Sequence, residues 1–270
     1  MHLPDIDNFV AAILLTLLAG LSTGLGALVA FTTKADNKRV LSFALGLSAG
    51  VMVYISFMEL LPEALTGLRV TLGENAGGWY GMLAFFGGIA FIALIDWLVP
   101  EEQNPHEYHP TDSLSAPVDA THRLRRQGLM LALAIGIHNF PEGMATFVSA
   151  LDGWTIALPI VIAIAIHNIP EGIAVSVPIY HATGKRSKAL RYAVISGLAE
   201  PVGALIGGAI LLPFWSPTVS GAVLAAVAGV MVYISFDELL PSAHSNGHHH
   251  LAVSGVIAGM AVMAVSLMLL

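Results

Sequence analysis

Apolar runs about as long as a bilayer is thick follow one another along this chain with only short polar joins, and no other feature limits its fold so severely. About 20 apolar residues cross the hydrocarbon as a helix. That ruler predicts eight spans, at residues 8–31, 40–62, 79–99, 128–150, 154–181, 189–213, 218–241 and 251–270. In lipid each segment must satisfy its own backbone hydrogen bonds, so the spans are expected to be helices. With 56% of residues hydrophobic and 11% charged, and a mean hydropathy of +0.78, the composition excludes a soluble domain of this length. The expected fold is an all-α integral membrane protein in which residues 1–270 form a single membrane domain.

Flanking residues orient the spans. Trp79, Trp97, Trp154 and Trp215 fall at expected helix ends, where aromatic rings favour the interface. Lys34, Lys38 and Arg39 lie between spans one and two, Arg123, Arg125 and Arg126 between three and four, and Lys185, Arg186, Lys188 and Arg191 at the join of five and six; Arg69 alone lies on the other side. Basic loops stay in the cytoplasm, so both termini are expected outside a cell (inner) membrane. The acidic start from Met1 to Asp5 lacks the basic stretch and cleavage site of a signal peptide, so the first run is expected to be retained. Residues 100–127, with Pro105, Pro110 and Pro117, form the one long connection and are expected to be a mobile cytoplasmic loop.

Two copies of one hexapeptide stand inside this apolar frame: His138-Asn139-Phe140-Pro141-Glu142-Gly143 and, 29 residues later, His167-Asn168-Ile169-Pro170-Glu171-Gly172. Ionisable groups inside hydrocarbon are costly, so they point to a functional site with partners at hand. Residues three and four apart share a helix face, which stacks His138 over Glu142 and His167 over Glu171 with an asparagine beside each. Pro141 and Pro170 remove a helical hydrogen bond and are expected to bend each helix at the cluster. Two such wedges face to face offer imidazole nitrogens, amide oxygens and two carboxylates that can bridge. The chain has no cysteine, so any metal meets nitrogen and oxygen donors, a set that suits zinc and first-row ions such as iron, manganese or cobalt. One HxxxE on a helix is common; recurrence of the whole motif on the next apolar run is what favours a metal role. The amides, where aspartates would add charge, are expected to hold one half of the site weakly enough for an ion to leave.

A second repeat joins spans two and seven: Ala49–Ala64 and Ala228–Ala243 differ only at Met58/Asp237 and Glu63/Ser242. Since these spans run in opposite directions, as do four and five, both repeats point to one inverted symmetry relating spans one to three to spans six to eight. In transporters such symmetry places the site near the midplane on interrupted helices. The second repeat alone could equally preserve a packing surface. Its acids Glu59, Asp237 and Glu238 are candidates for a pathway or outer-ligand role, or for helix ends. Glu200, beside Pro201 in span six, is a candidate ligand; its other reading is a protonated acid bonded to a neighbouring helix through Ser196. Asp96 reads as interfacial. His106, His109 and His122 in the long loop, with His244, His248, His249 and His250 before span eight, can bind metal loosely or be solvated.

The paired HNxPEG on consecutive spans closely resembles the ZIP (zinc/iron-regulated transporter-like) family, bacterial ZupT group, and the likeness covers all eight spans. It implies uptake of zinc, and often iron(II), manganese(II), cobalt(II) or cadmium(II), into the cytoplasm through a binuclear site. The family ligand positions match His138, Asn139, Glu142, His167, Asn168, Glu171 and Glu200. It further implies that spans one, four, five and six move against a scaffold of two, three, seven and eight, in a homodimer. The loop departs from many relatives in lacking a dense histidine cluster. No enzymatic activity, cofactor or nucleic-acid partner is expected; the bilayer and the divalent ions are the partners. An intramembrane zinc hydrolase also needs His and carboxylate at helical spacing, but with one asymmetric site and an open coordination position. A metal-stabilised structural protein is the third reading.

Overall fold

The computed structural model describes residues 6–32, 38–98, 120–245 and 247–269, all but a few of them helical. The side chains of some residues within the helices, His138 and His122 among them, lie outside the described set, as do Lys34, His106, His109 and the expected loop from 100 to 119. The helices are α1 (Ile6–Thr32), α2 (Lys38–Ile55), α3 (Leu61–Leu72), α4 (Glu74–Leu98), α5 (Ala120–Asp152), α6 (Trp154–Thr183), α7 (Arg186–Gly197), α8 (Ala199–Leu211), α9 (Pro217–Ile234), α10 (Leu240–Ser245) and α11 (His249–Leu269). Among the described residues, seven helical stretches are long and apolar enough to cross a membrane. They correspond to seven of the expected spans, with ends that differ by a few residues and, for span two, by ten. Span four falls in α5, which begins at Ala120 and so also takes in the last residues of the expected loop.

Local chemistry sets the joints. Gly184 closes α6 in the left-handed region, φ 66°, with its N–H on Tyr180 O, a conformation that costs glycine nothing. Ser216 caps α9 by accepting the Val219 N–H at 3.2 Å, with Pro217 in the first turn. Both copies of the 16-residue repeat widen into a π turn at the same register, Ser56–Leu60 and Ser235–Leu239. In each, the serine donates its hydroxyl back to a methionine carbonyl, Met52 O or Met231 O, at 2.7 Å. Each turn stands just ahead of a proline, Pro62 or Pro241, whose missing N–H already interrupts the α ladder. The span from 38 to 72 is therefore α2, a π turn and α3 in one continuous rod, ten residues longer than expected at its end.

The outside of this bundle is apolar: Leu83, Phe86 and Phe91 on α4 are 69%, 58% and 59% exposed. Its polar side chains, among them Thr23, Ser48, Asn139, Glu142, His167, Asn168, Glu171 and Glu200, are buried. That inversion of the soluble pattern is what a lipid solvent selects. Trp79, Trp97 and Trp154 are exposed near helix ends.

Glycines set how closely the rods approach. A Cβ at Gly50 would lie 2.1 Å from Val256 O, and one at Gly259 2.2 Å from Leu47 O, which clamps α2 to α11; Gly229 meets Phe85 O and Gly88 meets Ala226 O at 2.0 Å, which clamps α4 to α9. Around the hexapeptides, Gly26 meets Ile169 O at 2.0 Å, Gly203 meets Phe140 O at 2.1 Å, and Gly20 and Gly197 meet each other's carbonyls. Small residues let backbones come this close in a membrane. Among the described residues, each of these glycine-to-backbone contacts falls within one of two groups of helices, α1 with α5 to α8, or α2 to α4 with α9 and α11. Between α5 and α7 on one side and α4 and α9 on the other lies a nearly all-apolar cavity of about 780 Å³.

Candidate metal centre

Both hexapeptides sit inside continuous helices, α5 and α6, so neither Pro141 nor Pro170 ends its helix. Span six is interrupted instead: α7 ends at Gly197, the chain turns at Leu198, and α8 opens with Ala199 and Glu200. Pro201 has no N–H to return to the Gly197 carbonyl, which frees that turn.

These elements bring the two motif copies together. His167 Nε2 on α6 lies 3.0 Å from Glu142 Oε1 on α5, with both side chains buried. An imidazole against a carboxylate at that distance, sealed from solvent, is the polar heart of the molecule. Glu171 accepts from Ser48 Oγ of α2 at 3.1 Å. Glu200 accepts from Asn168 Nδ2. The asparagines take matching poses: Asn168 Nδ2 donates to Ala19 O at 3.1 Å and Asn139 Nδ2 to Ser196 O at 3.3 Å. Their amide hydrogens are thus turned onto neighbouring helices, and Asn139 Oδ1 and Asn168 Oδ1 are left buried with no hydrogen-bond partner among the described residues. A buried acceptor without a donor is uncommon; a bare amide oxygen is also a hard donor suited to a divalent cation.

Of the expected ligands, Asn139, Glu142, His167, Asn168, Glu171 and Glu200 are thus buried and joined, directly or through shared helices, around the α5–α6 interface. His138 lies on α5 one residue before Asn139, and its side chain is outside the described set. Among the described residues no three His, Asp or Glu side chains alone form a group that could hold an ion. The Ser196 hydroxyl donates to Ala132 O at 3.1 Å.

Glu59, Asp237 and Glu238 lie in the two π turns, in the other group of helices from the hexapeptides. Glu238 is buried while Glu59 and Asp237 are half-buried, and each turn packs against the opposite repeat, Ser56–Leu60 on α9 and Ser235–Leu239 on α2. Asp96 is half-buried near the end of α4 and accepts from the Tyr233 hydroxyl at 3.4 Å. Near the start of α11, the His244 and His249 rings stack with centroids 4.7 Å apart.

The sequence reading missed Ser48, and with it the contribution of α2 to the site. A signal existed: Ser48 immediately precedes the 16-residue repeat, and the matching position ahead of the second copy is Val227. A polar residue in one copy and an apolar one in the other marks where the two copies diverged in use.

The ZIP Zinc transporter family profile matches residues 8–111 and 98–267. The chain is 58% identical to a zinc transporter ZupT of Streptococcus mutans over 97% of its own length and 98% of the relative's. It is 58% identical to a zinc transporter ZupT of Chlorobium phaeovibrioides, covering 98% and 99% of the two chains, and 51% identical to one of Clostridium perfringens, covering 98% of each. With a buried histidine–carboxylate pair joining its two HNxPEG copies and a match of this extent, the chain belongs to the ZIP zinc transporter family.

Proposed function

We propose that this protein carries zinc, and with it iron(II), manganese(II), cobalt(II) or cadmium(II), across the cell (inner) membrane into the cytoplasm. The ions occupy a binuclear centre built from His138, Asn139, Glu142, His167, Asn168, Glu171 and Glu200, with Glu142 and Glu171 as the bridging carboxylates. The observation that carries this reading is the 3.0 Å approach of His167 Nε2 to Glu142 Oε1. It joins the two motif copies in a place where neither group is solvated, and a divalent ion can be held between the imidazole nitrogen and the carboxylate oxygen. The named relatives are zinc transporters. The bare amide oxygens supply weak neutral donors, as a site that must release its ion requires.

α5 crosses as well and completes the set of eight spans, so both termini lie on one side; the basic residues at the joins of spans one and two and of five and six support the outside for the termini and the cytoplasm for the loop after span three. The helices are related by an inverted repeat. Its support is the pairing of contacts: Gly50 on Val256 with Gly229 on Phe85, Gly259 on Leu47 with Gly88 on Ala226, and Asn168 on Ala19 with Asn139 on Ser196. Transport proceeds by an elevator-type movement of α1 and α5 to α8 against the remaining helices, in a homodimer. The separation of close glycine contacts into those two groups, with a cavity between α5–α7 and α4–α9, supports a sliding boundary. Radiozinc uptake by cells expressing Glu171→Ala is expected to fall to background; uptake equal to that of the unaltered protein refutes the site. Metal flux into liposomes without any added substrate separates this function from hydrolysis.

A further inference from the structure

We propose that Thr23 of α1 is a specificity-determining residue of the metal centre, occupying the position that Glu200 occupies in α8. The inference rests on the binuclear site proposed above. Its first support is a third repeat in the chain. Gly20-Leu21 and Gly26-Ala27-Leu28 recur 177 residues later as Gly197-Leu198 and Gly203-Ala204-Leu205, and in that register Thr23 matches Glu200. The second support is that the tertiary contacts keep the same register. Gly172 of the second hexapeptide meets Thr23 O, and a Cβ there would lie 1.8 Å away; Gly143 of the first meets Glu200 O at 1.9 Å. Gly26 meets Ile169 O as Gly203 meets Phe140 O. Asn168 donates to Ala19 O as Asn139 donates to Ser196 O, again 177 residues apart.

The backbone of Thr23 therefore packs on the second motif copy as that of Glu200 packs on the first. The Thr23 side chain is fully buried, and its hydroxyl has no hydrogen-bond partner among the described residues. The hydroxyl faces the α7 turn, where a Cβ on Gly197 would lie 2.9 Å from Thr23 Oγ1, one residue from the Ser196 carbonyl that holds Asn139. Buried hydroxyls are normally bonded. Here one is held by close backbone packing with its lone pairs unused. The consequence is a centre with unequal halves: α8 brings a carboxyl group and α1 a hydroxyl oxygen. A neutral oxygen adds nothing for an ion that favours imidazole, such as zinc, beyond what the histidines supply, but it helps satisfy an oxygen-preferring ion such as manganese.

The test uses the full-length protein in detergent and in cells. Zinc and manganese affinities are read from the metal-induced rise in thermal midpoint, and uptake of radiozinc is measured against competing manganese. Thr23→Val keeps the shape and removes the oxygen. It is expected to weaken manganese relative to zinc about fivefold, the factor that one such contact is worth in an equilibrium constant, and Thr23→Ser is expected to restore the ratio. Where Thr23→Val does not fold, Thr23→Ala makes the same comparison. A manganese-to-zinc ratio unchanged by loss of the hydroxyl overturns the proposal. Glu171→Ala, run alongside, tells the two levels apart: if it abolishes the metal-induced stabilisation while Thr23→Val changes no ratio, only the role of Thr23 falls; if it binds metal normally, the site itself and this inference fall together.

Discussion

Gly143→Ala tests whether the spacing of helices at the centre, rather than the ligand residues alone, makes the site work. A Cβ at Gly143 would lie 1.9 Å from Glu200 O and 2.7 Å from Glu200 Cα. Ordinary contact begins near 3.4 Å, so α5 and α8 must part by about 1.5 Å along that line, because a backbone oxygen cannot swing aside as a side chain can. Overpacking of this kind costs about 1–3 kcal/mol. Alanine recovers about 1 kcal/mol over glycine in a helix, so the net loss stays within what a folded membrane protein tolerates. The metal centre is less forgiving. Glu200 moves with its own carbonyl, and metal–ligand distances are held to about 0.2 Å. Displacing a supporting contact of this sort typically costs 10–100-fold in affinity or activity, and radiozinc uptake, normalised to protein in the membrane, is expected to fall by about that factor. The control is Gly87→Ala on α4, where a Cβ would meet nothing within 4 Å and uptake is expected to persist. Undiminished uptake by Gly143→Ala would refute the claim that close α5–α8 approach positions Glu200.

Two further outcomes follow from the same geometry. Asn139→Asp puts a carboxylate where an amide oxygen has no donor; at the effective dielectric of a protein one added charge near a cation is worth several kcal/mol, so metal binding is expected to tighten about tenfold or more while the maximal uptake rate falls, and equal or weaker binding by calorimetry would count against that oxygen's facing the ion. Ser216→Ala removes the cap that accepts the Val219 N–H; it should lower stability by about 1 kcal/mol, read as a lower thermal midpoint in detergent, with uptake unchanged because α9 holds none of the proposed ligands.

Much of this protein is legible in its letters because lipid is a demanding solvent. Apolar runs of fixed length must be helices there, and a histidine or glutamate inside one must have a purpose, so both the helical fold and the hexapeptides of α5 and α6 stand out without any structure. Where the reading fell short, the reason is physical. The expected end of span two at residue 62 falls short of the helix, which passes through the π turn at Ser56–Leu60, takes Pro62 into the first turn of α3, where its missing N–H costs little, and continues to Leu72.

What only the tertiary structure decided is which polar atoms face which. Helical spacing stacks His167 over Glu171 within one motif, but the contact that forms is between His167 and Glu142 of the other copy, since the distance between two helices is set by glycines and carbonyls far apart in sequence. Ser48 reaches Glu171 across 123 positions of chain, and Thr23 faces Gly197 across a still longer stretch. The sequence by itself determined the solvent, the helices and the chemical types of the candidate ligands. Their pairing was decided by packing, because close approach in a membrane depends on the shape of two surfaces together and neither segment encodes it alone.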